Sequence, residues 1–525
     1  MGSIDRRELL KLSSASLAAL VSSAAADAAP TAVLHSSVPM WEVFEVSLPG
    51  PSSRNPFVEV QLTASFSLGN RAVQVDGFYD GSGTYKIRFM PDAAGNWSYI
   101  TSSNVAVLAN KSGSFACTAA LPNAHGPVRV RNTRHFAYAD ETPFFPFGTT
   151  CYAWVHQSQQ LQQQTLETLR SAPFNKIRMC VFPKSYEYNH NEPALYPFER
   201  DASGKNDFTR PVPAFFAHIE QRIGELRALG IEADLILFHP YDRWGYASMT
   251  AEADDRYLRY VLARMSAYRN IWWSLANEWD FMHAKSAQDF DRFFHIVEQH
   301  DATGHLRSIH YGNTMYDYSR PWVTHASLQT FAFEQAANWR NSWSKPICFD
   351  EVQYEGNLNS NWGNLSGPEM MRRFWLGVIA GGYVTHGETY LDADAAMDEN
   401  TTPTIWWSHG GRLHGSSPAR IAFLRKILEN SATASGNRTG FNAQISTSYL
   451  NAATQDESGN IREILYFFDY HQPIYYQFSL PPGSYTAEQI DPWEMKATPI
   501  AGTFTGRSKI RLSGTPYQAI RFRRV

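Results

Sequence analysis

Strict alternation of apolar and polar residues marks the chain from about residue 38 to residue 120. In the segment Tyr85–Phe89 the two rings and the isoleucine fall on one side of an extended chain and the two cations on the other. A period of two is typical of a strand with one buried face. Several such segments, separated by turn residues such as Asp80-Gly81, predict an N-terminal β-sandwich over residues 38–120.

From residue 128 to residue 430 short apolar runs alternate with segments of helical periodicity. Apolar residues three and four positions apart predict amphipathic helices, and the runs between them predict buried parallel strands. The runs lie at Phe144–Phe147, Ile177–Val181, Leu235–Phe238, Ile271–Leu275, Ser308–Ile309, Val323–Leu328, Ile347–Phe349 and Tyr383–Val384. Eight runs over about 300 residues predict a central α/β domain, a closed (β/α)8 TIM barrel, better than an open doubly wound sheet.

Alternation returns after about residue 435, as in Ile464–Tyr470. A second small, β-sandwich-like domain is therefore predicted over residues 435–525, and the protein is expected to be multidomain. Residues 1–30 are set aside, because Arg6-Arg7, a mild apolar stretch and the small residues Ala24–Ala26 resemble a bacterial twin-arginine signal peptide. That resemblance implies a secreted protein, exported to the periplasm or the exterior.

Composition narrows the possible functions. Forty-six Lys and Arg against 50 Asp and Glu give a formal charge of −4, so no basic surface for nucleic acid is indicated. Outside the N-terminus no apolar run reaches the length of about 18 residues that a membrane helix needs. Aromatic residues make up 14% of the chain, which suits stacking on sugars as well as β-sandwich cores. The oligomeric state is left open.

Two glutamates directly follow predicted barrel strands. Asn277-Glu278 ends the fourth run, and Asp350-Glu351 ends the seventh. Because the carboxyl ends of barrel strands meet at one mouth, both side chains are expected to face one cavity. Hydrolysis of a glycoside with retention needs such a pair about 5 Å apart, one carboxyl protonated as the acid and the other ionised as the nucleophile. Repulsion within the pair keeps the two roles distinct.

These strand endings resemble those of the clan-A retaining glycoside hydrolases. The resemblance implies Glu278 as acid/base, Asn277 as a partner of the sugar 2-hydroxyl and Glu351 as the nucleophile. Arg178 on the second strand matches the arginine that such barrels place beside the nucleophile. A nearby guanidinium favours the ionised form of that carboxylate.

Longer stretches are similar to the apiosidase-like group of bacterial barrel hydrolases. They are Phe147–Thr150, Tyr196–Glu199, Asp350-Glu351 with Tyr354–Gly356, and His386–Tyr390 followed by Trp406-Trp407. The group often carries an N-terminal β-sandwich of unknown function and a C-terminal β-domain. The resemblance covers nearly the whole chain after residue 30.

One departure concerns strand six, where clan-A barrels commonly place a Tyr against the nucleophile. Here the run reads Thr324–Gln329, so His325 or Gln329 is expected to take that contact, unless the strand is misplaced by a few residues. Glu355 and Glu388 are rival carboxylates to Glu351. We prefer Glu351 and assign Glu388 to substrate binding.

Four histidines fall near strand ends, namely His239, His310, His325 and His386. Together they could hold a metal, which makes a metal-dependent hydrolase one alternative. No His-Glu-x-x-His helix supports it, and histidines that bind sugar hydroxyls are the favoured interpretation for His239, His325 and His386. Aromatic candidates for the pocket wall are Trp154, Tyr241, Trp244, Trp279 and Trp407, of which Trp279 and Trp407 are assigned to substrate binding.

The sequence thus predicts a glycosidase that degrades plant or microbial polysaccharides or oligosaccharides, a role in carbohydrate metabolism, with no cofactor. Long loops at 183–199 and 240–249 would block one end of the cleft and favour exo action. The alternative from another class is a non-catalytic carbohydrate-binding barrel, in which the aromatic walls remain and the carboxylates are inert.

Overall fold

A computed structural model describes residues 36–391, 405–434, 442–445, 450–455 and 459–525. The predicted signal peptide, residues 1–30, lies outside the described residues. Within the described ranges no helix combines the length and apolarity needed to cross a bilayer.

The N-terminal region is one continuous sheet of seven strands in the order β1-β7-β6-β3-β4-β5-β2. Its elements are β1 (Ser36–Pro39), β2 (Phe44–Pro49), α1 (Pro56–Glu59), β3 (Leu62–Leu68), β4 (Arg71–Tyr79), β5 (Thr84–Phe89), β6 (Gly95–Ser103) and β7 (Ser112–Thr118). Phe44 of β2 stacks on Phe115 of β7 with ring centres 3.8 Å apart, although these strands stand at opposite sides of the strand order. The sheet therefore folds over a shared core, and its division into two stacked sheets stays a prediction.

Three short strands connect this sheet to the next domain: β8 (Val128–Arg131), β9 (His135–Tyr138) and β10 (Pro143–Phe144). Phe136 of β9 packs on Trp272 with ring centres 4.9 Å apart. Phe144 packs on the same indole at 6.2 Å. The connecting sheet therefore contributes apolar side chains to the core around Trp272.

The central domain is built on eight strands that pair in parallel, in the order β17-β16-β15-β12-β11-β21-β19-β18. Their bounds are β11 (Phe147–Thr150), β12 (Lys176–Cys180), β15 (Glu232–Ile236), β16 (Ile271–Ser274), β17 (Leu306–Ser308), β18 (Ala326–Gln329), β19 (Ile347–Glu351) and β21 (Tyr383–His386). A parallel bridge between His310 and Ser327 joins the two edge strands. The described strands therefore have the predicted number and direction, and this bridge lies between the two ends of their order.

Helices follow seven of the eight strands, and the predicted regular alternation fails at one connection. The helices are α2 (Gln159–Ser171), α3 (Pro213–Ala228), α4 (Ala251–Met265), α5 (Ala287–His300), α6 (Ala336–Trp343), α7 (Gly367–Ile379), the short α8 (Trp406–His409) and α9 (Ser417–Ala434). The fully described segment 309–325, between β17 and β18, contains no helix. Tyr318 lies in this segment, and its hydroxyl lies within hydrogen-bond distance of the carbonyl oxygens of Ile309 and Ser327.

Local sequence signals explain several element ends. Gly230 follows α3 with φ of 71°, in the left-handed region that favours glycine after a helix C-terminus. Ser286 and Asp289 form a capping box at the start of α5, in which each side chain binds the other residue's backbone amide. Two pairs of short strands lie in the loops that follow barrel strands. They are β13 (Phe198–Arg200) with β14 (Asn206–Pro211), and β20 (Glu355–Gly356) with β22 (Glu388–Thr389). Four 3-10 turns lie at Trp154–His156, Tyr246–Ser248, Trp279–Phe281 and Phe333–Gln335.

The C-terminal region is again rich in strands. Six of them pair in the order β23-β24-β25-β30-β27-β28, and β26 pairs with β29. The bounds are β23 (Asn442–Ile445), β24 (Leu450–Gln455), β25 (Ile461–Phe467), β26 (Tyr475–Ser479), β27 (Tyr485–Asp491), β28 (Lys496–Phe504), β29 (Arg507–Arg511) and β30 (Ala519–Arg524). Phe478 of the small ladder packs on Tyr466 and Phe522 of the large one, both with ring centres 4.9 Å apart. A β-rich C-terminal domain is therefore present.

Candidate active site

The two predicted catalytic glutamates line one cavity at the carboxyl ends of the barrel strands. Glu351 is the last residue of β19, and Glu278 follows β16 by four positions. The cavity has a volume of about 220 Å³. It is lined by Tyr152, Lys184, Tyr186, Tyr241, Asn277, Glu278, Gln329, Glu351, Trp362 and Trp407.

A short chain of hydrogen bonds connects the two carboxylates. The Tyr152 hydroxyl contacts Glu351 Oε1 and lies 2.9 Å from Asn277 Oδ1. Asn277 Nδ2 in turn donates to Glu278 Oε2 at 2.9 Å. One phenol and one amide therefore separate the two acids and fix the orientation of both.

Arg178 stands beside the nucleophile candidate, as predicted. Its guanidinium is fully buried, lies 3.5 Å from Glu351 Oε1 and donates to Asn277 Oδ1 at 3.1 Å. Lys176 lies two residues before Arg178 on β12, and its ammonium binds both Asp234 and Asp350 at 2.8 Å. Although burial raises the pKa of Asp350, the charges of Lys176 and Arg178 hold it well below its usual value. A buried ionic network thus supports Glu351 from the barrel interior.

Glu278 has the environment of a carboxylic acid that keeps its proton. Burial, followed by repulsion from Glu351, raises the pKa of Glu278 to about 7, while Lys184 and the Tyr241 hydroxyl oppose the rise. The Tyr241 hydroxyl donates to Glu278 Oε2. The backbone at Glu278 is left-handed, with φ of 49°, a conformation that costs free energy in a residue other than glycine. Strain and a raised pKa thus coincide at this residue.

Lys184 lines the cavity and is surrounded by aromatic rings. Its ammonium is 3.7 Å from the ring centre of Tyr152, 4.4 Å from that of Tyr186 and 4.2 Å from that of Tyr241. Burial lowers the pKa of Lys184, and the nearby Cys180, Glu278 and Glu351 oppose that effect. Ring faces attract a cation, so these rings hold the ammonium near both acids without an ion pair at close range.

The contact with Glu351 that was predicted from strand six is made by a residue of another loop. Gln329, at the end of β18, lines the cavity on the side of Glu278. The hydroxyl that contacts Glu351 comes instead from Tyr152, two residues after β11. Sequence reasoning missed four lining residues, Tyr152, Lys184, Tyr186 and Trp362, which lie in loops where no periodicity shows the direction of a side chain.

Three predicted substrate-binding residues lie elsewhere. His325 precedes β18 rather than ending it, and its ring packs on Phe136 and Trp272, so the expectation that it meets the nucleophile is wrong. Trp279 lies outside the cavity lining and packs on Phe290 and Tyr316. His239 is also outside that lining, where it bonds the carbonyl of Phe182 at 3.2 Å. Of the other aromatic candidates, Tyr241 and Trp407 line the cavity, and Trp154 and Trp244 do not.

His386, Glu388 and Glu355 form a separate buried group outside the cavity lining. Glu388 accepts hydrogen bonds from the backbone amides of His414 and Gly415, and Glu355 accepts them from Ser416 and Ser417. The assignment of His386 and Glu388 to substrate binding is therefore corrected. The four histidines considered for a metal do not converge, since His325 and His386 have unrelated surroundings.

Family comparison agrees with this architecture. Residues 130–433 match the family model described as apiosidase-like, catalytic domain. Residues 37–104 and 456–523 match two domains of unknown function, DUF5060 and DUF5605. Comparison with curated proteins finds no match.

Solved structures give the same result. A candidate glycoside hydrolase from Bacteroides vulgatus ATCC 8482 is 38% identical, with a TM-score of 0.86 over 94% of this chain and 100% of that chain. A family 5 glycoside hydrolase from the same organism is 15% identical, with a TM-score of 0.58 over 77% of this chain and 95% of that one, which shows a shared fold. The chain is a glycosidase, and it belongs to the apiosidase-like catalytic-domain family.

Proposed function

We propose that the protein is a retaining O-glycoside hydrolase in which Glu351 is the nucleophile and Glu278 the acid/base. The observation that carries the proposal is the contrast between the two acids of one small cavity. The pKa of Glu278 is raised to about 7, which keeps a large share of this carboxyl protonated up to neutral pH, and Glu351 lies against the buried guanidinium of Arg178. Double displacement needs this division between a proton donor and an ionised nucleophile.

In the first proposed step, an oxygen of Glu351 attacks the anomeric carbon while Glu278 gives its proton to the leaving oxygen. Tyr152 and Arg178 hold Oε1 of Glu351, which leaves Oε2 to form the ester bond. The glycosidic C–O bond breaks, and the released alcohol carries the proton of Glu278.

In the second step, water replaces the departed alcohol. The carboxylate of Glu278 takes a proton from that water, whose oxygen attacks the anomeric carbon and releases Glu351. Two inversions at one carbon give overall retention, and the enzyme returns to its starting protonation state.

We propose exo action on plant or microbial polysaccharides or oligosaccharides. Ligand pockets commonly measure about 300–1,000 Å³. At about 220 Å³ this cavity is smaller than that, which suits a single terminal sugar. Lys184, Tyr186 and Tyr241 belong to the two long loops predicted to block the cleft, and all three line the cavity. Its aromatic residues offer faces on which a sugar can stack.

The test is a screen of aryl glycosides and cell-wall oligosaccharides, with the first product's anomeric configuration followed by NMR. Glu278→Gln should lose turnover of substrates with poor leaving groups by about 10²–10⁴-fold while it still binds sugar. Glu192→Gln is the matched control, because Glu192 also follows an Asn but lies in an exposed loop. An inverted first product would contradict the mechanism.

Export is proposed from the N-terminal signal alone. Replacing Arg6 and Arg7 by Lys in the full chain should leave the protein in the cytoplasm of a bacterial host with twin-arginine transport. Fractionation of the cells measures this, and unchanged export by the double variant would rule the signal out.

A further inference from the structure

Three fully buried metal-ligand side chains meet outside the catalytic cavity. Glu355 begins β20, Glu388 begins β22, and His386 ends β21. One ring nitrogen of His386 and one carboxylate oxygen of each glutamate all lie within 4.8 Å of one another. None of the three has any exposed surface.

The two carboxylates have no cationic partner in the described parts of the chain. Neither forms an ion pair with Lys, Arg or His within 4.0 Å. The sequence between Gly387 and Ser408 contains no Lys, Arg or His that could supply one. Two neighbouring buried carboxylates without a cation are unfavourable, since each charge has lost its water.

His386 adds an independent observation. Its Nδ1 lies 3.3 Å from Thr149 Oγ1, and its ring stacks on Phe174. Its Nε2 is buried and has no hydrogen-bond partner. A buried imidazole nitrogen normally has one, and a metal ion is an alternative partner for its lone pair.

Gly415 keeps space open between the two carboxylates. A Cβ at this residue would lie 2.5 Å from Glu355 Oε2 and 2.7 Å from Glu388 Oε2. The φ angle of Gly415 is not positive, so space rather than backbone conformation explains the glycine. Each of these two oxygens accepts a single backbone amide, from Ser417 and Gly415 respectively, and a carboxylate oxygen has two lone pairs.

We propose that Glu355, His386 and Glu388 bind a divalent transition-metal ion of the Zn²⁺ or Mn²⁺ type. One imidazole and two carboxylates are a common ligand set for such ions, whereas Ca²⁺ and Mg²⁺ prefer oxygen ligands alone. The ion neutralises the two acids and ties the β20–β22 pair to the loop at residues 414–417. It is structural, because the three ligands do not line the cavity that holds Glu278 and Glu351.

The experiment uses the full chain, freed of metal by chelation and dialysis. Zn²⁺ and Mn²⁺ are added separately, bound metal is counted by mass spectrometry of the dialysed protein, and the melting temperature is followed. We expect one ion per chain and a higher melting temperature with metal. Co²⁺ in place of Zn²⁺ should give a visible absorption band that reports the ligand set.

Variants identify the ligands. Glu388→Gln and Gly415→Ala should bind the ion at least tenfold more weakly, and Glu232→Gln is the matched control, a buried carboxyl at the start of β15. The proposal is overturned if the unmodified chain binds no ion, or if both variants bind as tightly as the unmodified chain. Should Glu388→Gln fail to fold, Gly415→Ala and the titration of the unmodified chain still decide. Loss of the metal site leaves the assignment of Glu278 and Glu351 untouched.

Discussion

Glu278 should destabilise the protein at the pH where it would be ionised, and the structure gives the size of that effect. The environment raises the pKa of Glu278 from 4.5 to about 7. The folded chain therefore binds this proton more tightly than the unfolded chain does. The resulting contribution to stability is fully present below the unfolded pKa and is lost as the pH rises through the folded pKa.

The magnitude follows from linkage. A difference of about 2.5 between the two pKa values corresponds to about 3 kcal/mol at about 1.4 kcal/mol per pKa unit. Glu278 is only 7% exposed, so screening by solvent reduces this free energy only slightly. Glu278→Gln removes the ionisation and keeps an oxygen that accepts from Asn277 and Tyr241. We expect the variant to melt on the order of 5 °C above the unmodified protein at about pH 8, and near it at about pH 4.

Thermal unfolding across that pH range measures the difference. Glu252→Gln, an exposed residue of α4, is the control and should show no pH-dependent difference. A difference in melting temperature between Glu278→Gln and the unmodified protein that stays constant with pH would refute the reasoning. The same substitution should abolish general-acid catalysis, so gain in stability and loss of activity are expected together.

Three further outcomes are expected. Lys184→Met removes a positive charge that lowers the pKa of Glu278, so the alkaline limb of the kcat/KM profile should move to higher pH; a move to lower pH would contradict the geometry. Tyr152→Phe deletes the hydroxyl that contacts the nucleophile and should reduce kcat about 10–100-fold with little change in melting temperature, measured by steady-state kinetics. Glu220→Gln removes the carboxylate that Arg88 and Arg264 share, which leaves Glu45 and Asp80 as their remaining acidic partners, and should cost about 2 kcal/mol, seen as a lower melting temperature. An unchanged melting temperature would show that this carboxylate contributes nothing.

The two catalytic candidates could be predicted from the sequence because a barrel brings the carboxyl ends of its strands together. Glu278 and Glu351 lie 73 positions apart in sequence, yet both follow apolar runs and meet at one mouth. The placement of His325 failed because the predicted run began at residue 323, whereas β18 begins at Ala326. His325 therefore precedes the strand, at the opposite end from the carboxyl terminus of β18, where the site residues lie.

Other features of the site and fold could not be predicted because they depend on contacts between residues far apart in the sequence. Glu355 and Glu388 have the residue type and position of catalytic acids, but backbone amides of residues 414–417 bind them, and no local pattern reveals such partners. Tyr152 lies two residues beyond its strand, where sequence alone does not tell which way a loop side chain points. The connection at 309–325 contains no helix, and the contacts of the Tyr318 hydroxyl there with the carbonyls of Ile309 and Ser327 are not visible in the local periodicity.

A covalent intermediate on Glu351 is the most direct test of the mechanism. The protein is incubated with an activated 2-deoxy-2-fluoro glycoside of the sugar that it hydrolyses best, then digested, and the peptides are mapped by mass spectrometry. We predict a sugar adduct on Glu351, with the first product of the ordinary substrate retaining its configuration. An adduct on Glu355 or Glu388, or an inverted product without any adduct, would contradict the account.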